Sequence, residues 1–528
     1  MKSRRDVLKL AAAAALPLAA PNIARAQGAK TLRFAPSADL ALVDPVANTA
    51  TITRNHGYLV FDTLYGLDDN YQVQPQMLAG HQAEDDHKTW TLTLRDGLRF
   101  HDNEPVLAKD VVASLRRWAK RDVFGAVLME RTDELSAISD KQIEFRLKKS
   151  FALLPDALGK IPPCMPCIMP ERLAATDPFT QVSEVTGSGP FRFVQAERVS
   201  GAKVVYEKFA GYVPRASGTP QLTAGPKIAY LDRVEWVIMP DAGSAAGALQ
   251  TGEIDWWEGP SPDLQPVLRK SKDIAIEIID RTGLMPILRF NALHPPFDNV
   301  GVRRAVLRAL DQTDMMSAYS DDKSTWRDHV GVFPPGTPMA SNAGTDELFG
   351  PTNIERAKAE LTAAGYKGER IAFMAAGDSI ASGTFSPVVA DLFKRIGLNV
   401  DYQQVDLGTL YQRRTSKQPP DKGGWSCFII GFTGIDLASP AVSLLIRGNG
   451  EKGWYGWPTS PELERLHEAW FDAADLADAQ SIGRSIQRQV WQDAPYVPLG
   501  QILQPTAYRK NLSGILGGFP KFYNVKKG

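Results

Sequence analysis

PQMLAGHQAEDDHKTWTLTLRDGLRFHDNEPVLAKDVVASLR, residues 75–116, holds the first clear strand of the chain. Within it Trp90, Leu92 and Leu94 alternate with Thr91 and Thr93, the period-2 pattern of a strand with one buried face. Asp96-Gly97 makes a turn that leads on into Leu98-Arg99-Phe100. The same alternation returns at Ile143, Phe145 and Leu147, at Val234, Trp236 and Ile238, and at Ile274, Ile276 and Ile278.

Helical punctuation is interleaved with these strands. Thr352-Asn353-Ile354-Glu355 reads as a capping box for a helix ending near Ala364, with Gly365 as its stop. Ser386-Pro387 and Ser460-Pro461 each read as a cap followed by a first-turn proline. Val302, Ala305, Val306, Ala309 and Leu310 form a one-sided apolar stripe. Strands mixed with amphipathic helices place the chain in the α/β class. Proline- and glycine-rich joints at 161–170, 214–226, 331–344 and 417–424 read as turns, and no repeat of 20 to 50 residues is present.

The amino terminus has a separate logic. Lys2, Arg4, Arg5 and Lys9 precede an apolar run from Leu10 to Ala20, and Ala24-Arg25-Ala26 supplies small residues for a peptidase. Residues 1–26 therefore read as a secretory signal cleaved after Ala26, too short in its apolar run to span a bilayer. Ser3-Arg4-Arg5-Asp6-Val7-Leu8-Lys9 resembles a twin-arginine signal, with an ordinary Sec signal as the alternative. The full chain carries 60 basic and 60 acidic residues; cleavage leaves 55 against 59 over 502 residues, with no basic stripe for nucleic acid. A periplasmic location follows from this reading.

Motifs of catalysis and metal binding are weak. Cys164-Met165-Pro166-Cys167 has no second cysteine pair for zinc, and prolines crowd it, so it reads as buried thiols or a small disulfide. Seven histidines include no H-E-x-x-H, and no metal site or cofactor is expected. Gly377-Asp378-Ser379-Ile380 resembles an esterase serine motif but lacks a positioned base, so no catalytic residue is assigned. Gly187-Ser188-Gly189-Pro190 lacks the third glycine of a dinucleotide fingerprint and reads as a turn. Aromatic clusters draw attention instead. Trp425 precedes an apolar run, and adjacent Trp256 and Trp257 must face opposite sides of a strand, so one of them is a candidate cleft wall.

Five blocks in order resemble the family 5 extracellular solute-binding proteins, the dipeptide, oligopeptide and nickel binders of bacterial ABC importers. They are 75–116, with its LRDG turn, F-H-D and P-x-x-A-x-D-V leading into a helix; Gly187 to Phe193; Leu231-Asp232-Arg233-Val234 with Ala248 to Asp255; Phe290 to Asp298; and Val302 to Asp311. The resemblance implies a two-lobed periplasmic-binding-protein fold, a Venus flytrap of type II and cluster C, with an extra subdomain inserted in lobe I. Transferred to this numbering, lobe I is 30–283 plus 495–528, the inserted subdomain is about 61–183, and lobe II is 284–494. It also implies a non-enzymatic monomer that captures a peptide-like solute and delivers it to the transmembrane subunits of an ABC permease, with cytoplasmic ATPases behind them.

In that family's peptide binders the ligand loop resembles G-W-x-G-D-x-x-D-P, whose aspartate takes the peptide's amino terminus. The matching run is Gly431-Phe432-Thr433-Gly434-Ile435-Asp436-Leu437-Ala438-Ser439-Pro440, with its aspartate one place late. With one residue inserted, Asp436 anchors an amine, and Phe432, Thr433, Trp425, Trp256 and Trp257 complete the expected substrate-binding set. Without it, the cargo is a sugar, a modified amino acid or a metal chelate. A secreted hydrolase is the reading from another class.

Overall fold

The structure is a computed structural model that describes residues 30–528 except 162, 183, 349 and 350. The export signal expected at residues 1–26, with its cleavage point after Ala26, lies outside the described residues.

Two large mixed sheets organise the chain. The first runs in the order Ile274–Glu277, Thr506–Arg509, Trp256–Trp257, Thr31–Ala35, Arg233–Val237, Lys203–Lys208, Phe191–Phe193. Its centre, Thr31–Ala35, is parallel to both neighbours. Both faces of this sheet are covered. Trp256 joins Phe34 and Phe522 in one core, while Trp257 joins Ala35, Leu249 and Leu268 in another.

The second sheet runs Trp326–Arg327, Gln501–Ile502, Leu284–Phe290, Cys427–Thr433, Arg370–Ala376, Asn399–Val405, with Tyr496–Pro498 also on Leu284–Phe290. A smaller antiparallel sheet, Leu78–Glu84, Thr89–Leu94, Gln142–Leu147, Thr132–Ala137, lies within the 61–183 stretch. Trp90, Leu92 and Leu94 are buried as the alternation requires. Leu98-Arg99-Phe100 does not return as a hairpin strand. Thr89–Leu94 pairs instead with Leu78–Glu84 and Gln142–Leu147, and Arg99 makes only an isolated bridge to Pro105.

The residues of the quoted run act as fasteners. Asp110 accepts from the backbone N–H of Leu107 at 2.9 Å and of Glu171 at 2.8 Å, tying two helix starts together. Seven residues on, Arg117 meets Asp44 at 2.7 Å in a fully buried pair. A Cβ on Gly187 would stand 1.9 Å from the Val60 carbonyl oxygen, so only glycine lets this strap pass the end of the helix Thr51–Val60.

Two helix starts differ from the sequence reading. Asn353, not Thr352, caps Ile354–Ala363, because Thr352 donates its hydroxyl to Ala309 O instead. Pro387 lies inside the helix Ile380–Arg395, whose cap is Ser379; the helix begins two turns before the Ser-Pro signal. Ser460 and Pro461 do open Pro461–Phe471.

The chain passes between the two large sheets at 278–283 and again at 503–505. Residues 496–498 and 501–502 pair with Leu284–Phe290, so the return to the first sheet comes after Ile502 rather than at the expected 495. The crossings touch: a Cβ on Gly283, whose φ is +57°, would lie 2.1 Å from Ile502 O. Gln501 also donates to Thr282 O at 2.7 Å.

Candidate functional site

The strand Cys427–Thr433 decides where the ligand loop points. Its first four residues are buried between neighbouring strands, and its last three emerge half-buried beside the crossing. The backbone then tightens into a short 3-10 turn, Gly434–Leu437. Gly434 is required here, since a Cβ would stand 2.0 Å from Thr282 O. Its N–H donates to Gly283 O at 2.7 Å.

This turn presents Asp436, whose Oδ2 accepts from Thr433 Oγ1 at 2.6 Å. Among the described residues no cation reaches salt-bridge distance of it. Burial pushes its carboxyl above the usual range, opposed by the positive charges of Arg54 and Lys160 and the Thr433 hydrogen bond. An under-compensated carboxylate in a desolvated place is poised to take a cation.

The facing wall comes from the first-sheet half. Arg54, on Thr51–Val60, is buried with its guanidinium on Asn55 Oδ1 at 3.1 Å and 4.3 Å over the Phe519 ring. Asn55 in turn donates to Glu258 Oε1 at 3.2 Å, which fixes the helix face. Lys160 is buried and held by Asp122 at 2.5 Å. Lys521 donates to Gly517 O and Phe519 O, each at 2.8 Å, and burial lowers its pKa to about 7.

Two cavities flank the loop. One of about 290 Å³ is lined by Phe124, Ile161, Met339, Ile435, Ser439 and Trp470 among others. Another, also about 290 Å³, lies against the crossing at Asp280, Arg281 and Phe519. They share Tyr71, Ile161 and Ile435 as a partition. Both draw walls from the two halves of the chain. The halves also meet directly at the rim, where Asp472 pairs with Arg131 at 2.8 Å and Lys149 at 2.5 Å.

Of the residues expected from sequence, the structure brings Asp436 and Thr433 together on the loop that the two cavities flank, although neither side chain is in the cavity linings. Phe432 is half-buried beside them, its ring 5.4 Å from that of Trp454. The three tryptophans are elsewhere. Trp425 is fully buried against Phe428 and Trp457, and Trp256 is fully buried with Nε1 donating to Thr506 Oγ1 at 2.6 Å. Trp257 is buried on the opposite face. The adjacency argument put one of the pair at a cleft; it fails because both faces of that sheet carry a core.

Arg54, Lys160 and Tyr71 escaped the sequence reading. Arg54 sits in a helix buried on nearly every side, whose polar residues show no distinctive spacing. The weak motifs find structural uses. Ser379 caps a helix, and Cys164 and Cys167 are free, buried thiols, the former pushed up to about 12 by burial. Among the described residues no helix is long and apolar enough to cross a membrane.

Comparison with known proteins gives a consistent picture. The model of "Bacterial extracellular solute-binding proteins, family 5 Middle" matches residues 72–454. The "Probable peptide ABC transporter periplasmic-binding protein y4tO" of Sinorhizobium fredii is 36% identical, covering 99% of each chain. A dipeptide-binding protein from a Pseudoalteromonas species, solved with Met-Leu, superposes with a TM-score of 0.77 at 19% identity, covering 94% of this chain and 100% of that one. The binding protein AgaA from A. tumefacien, solved with agropinic acid, gives 0.76 at 20% identity over 94% and 99%. The two-lobed α/β fold is common to them.

Proposed function

Because the chain belongs to the bacterial extracellular solute-binding proteins of family 5, we propose that it captures a peptide-like solute with a free amine between its lobes and delivers it to an ABC permease. Lobe I is then 30–283 with 503–528, its insertion lies at about 61–183, and lobe II is 284–502. The protein is exported by the twin-arginine signal, cleaved after Ala26, and works in the periplasm without turning over its cargo. The relative from Sinorhizobium fredii, a peptide transporter component by name, supports the cargo class.

The observation that carries this reading is the pairing of opposite charges across the cleft. Among the described residues Asp436 on lobe II has no ionic partner, and the positive charge of Arg54, buried on lobe I, acts on it from the other half of the chain. A zwitterion satisfies both: its ammonium makes a charge-assisted hydrogen bond to Asp436, and its carboxylate lies toward Arg54. Closure of the lobes removes both pairs from water, which strengthens them.

Mass spectrometry of solute released from gently purified, then denatured, protein tests the reading. A peptide or peptide-like amine is expected, and a sugar or a metal chelate as the released cargo would overturn it. The mature amino terminus, read by sequencing, should begin at Gln27.

A further inference from the structure

The first cavity contains a carboxylate that no part of the reading above uses. Asp156 stands in the short helix Leu154–Gly159 and lines that cavity among Leu153, Ile161, Met339, Val442 and Trp470. Among the described residues its only hydrogen bond is to its own backbone N–H, and no side chain of opposite charge reaches it. Lys160, one turn further on, is already committed to Asp122 at 2.5 Å and to Cys164 O at 3.2 Å. The other charged group in the lining, Asp475, is an exposed carboxylate that caps Leu476–Asp493 by accepting from Asp478 N at 2.9 Å. The wall therefore also carries the ammonium of Lys160 and the carboxylate of Asp475 among mostly apolar side chains, and among the described residues no cation pairs with Asp156.

Its place matters as much as its polarity. Ile435, Ala438 and Ser439, from the loop that carries Asp436, form part of its wall. A solute anchored by its amine at Asp436 has this chamber as the adjoining space. At about 290 Å³ the chamber is at the small end of ligand pockets, which span about 300–1,000 Å³, so it suits one side chain rather than a whole oligopeptide.

We propose that the chamber is a side-chain subsite for a cation on an apolar stem, an ammonium or guanidinium of the lysine or arginine kind, with Asp156 as its receptor. The inference rests on the peptide-like reading of the cleft and adds a preference within it. Burial already disfavours the ionised carboxylate, lifting its pKa to about 6, so at neutral pH the empty chamber holds an uncompensated charge that a bound cation relieves.

Calorimetry with isosteric pairs tests this: lysyl-alanine against 2-aminoheptanoyl-alanine and arginyl-alanine against citrullyl-alanine, each also in reverse order. The cationic member of at least one pair should bind at least tenfold more tightly to the wild type. In Asp156→Asn that preference should vanish while the neutral peptides keep their affinity. The wild-type comparison stands by itself if the variant does not fold. Equal binding within every pair, or a preference that survives Asp156→Asn, overturns the subsite and leaves the peptide reading intact. No binding by any peptide overturns both.

Discussion

The N–H of Gly434 donates to the carbonyl oxygen of Gly283 at 2.7 Å, which bolts the loop carrying Asp436 to the first crossing between the lobes. The position of the carboxylate and the setting of the hinge are thereby one geometry. On the proposed function, closure about this hinge would move the first-sheet half relative to a loop that stays fixed to the crossing strands.

Gly283→Ala should therefore damage both stability and binding. Its φ of +57° is a left-handed conformation, and the new Cβ would lie 2.1 Å from Ile502 O. Strain of this kind costs about 1–3 kcal/mol before the clash is counted. Gly365→Ala is the control, with a similar positive φ but no atom within 4 Å of its Cβ position. Thermal melts should show a larger drop for Gly283→Ala, and equal drops would sink the claim that the two crossings are packed against each other.

Asp472→Asn should loosen the closed form. The residue pairs with Arg131 and Lys149 across the lobes, in partly exposed contacts of the kind worth about 0.2–1 kcal/mol each. Cargo affinity should fall about two- to tenfold, chiefly through faster dissociation, and the difference from wild type should shrink in high salt. Surface plasmon resonance at two ionic strengths reads this; an unchanged dissociation rate would contradict it.

Tryptophans placed in cores should report on stability alone. Trp256→Phe removes the 2.6 Å hydrogen bond to Thr506, whereas Trp425→Phe removes none, since Trp425 Nε1 has no hydrogen-bond partner among the described residues. Both changes leave space in a packed core, at a cost of about 1–3 kcal/mol, with Trp256→Phe the worse. Cargo affinity should stay within about twofold in both. A tenfold loss in either variant would return that tryptophan to the site.

How much of this was readable from sequence follows from burial. Strands with one wet face, such as Thr89–Leu94 and Gln142–Leu147, announced themselves by alternation. Leu284–Phe290 did not, because six of its seven residues are buried and the period is lost. Leu78–Glu84 is mostly exposed and polar, so only its pairing makes it a strand. The Ser386-Pro387 signal misled because a proline within a helix leaves the same local pattern as one at its start. For the proposed site, family resemblance pointed to Asp436. Arg54 and Asp156 were not legible, since only tertiary packing brings their helices to the cleft.

Acid should destabilise the protein well before its carboxylates are fully protonated. His56 and His467 are buried, and burial lowers their pKa values to about 3 and about 4. Below about pH 6.5 the unfolded chain gains protons that the folded one refuses, so stability falls as pH drops from there toward 4. The maximum slope is about 1.4 kcal/mol per pH unit for each histidine. Asp156, with its raised pKa, pulls the other way between about 6 and 4, but one group does not offset two. His467→Gln keeps a donor for Pro440 O, which His467 Nε2 meets at 2.8 Å, and should flatten the melting-temperature profile. A profile flat from pH 7 to 4.5 in the wild type would refute the account of these histidines.

The most direct measurement is calorimetry of the co-purified cargo with wild type and Asp436→Asn. The substitution keeps the shape and the contact with Thr433 but removes the charge opposite the cargo's amine. Loss of one partner of a desolvated charge pair costs about 2–5 kcal/mol, so binding should weaken at least tenfold. The melting temperature of the empty protein should hold or rise slightly, because burial already disfavours the ionised form. Cargo acetylated at its amine should bind the wild type poorly and lose little more in the variant. Unchanged affinity in Asp436→Asn, with the cargo still bound between the lobes, would contradict the amine-anchoring site at the centre of this account.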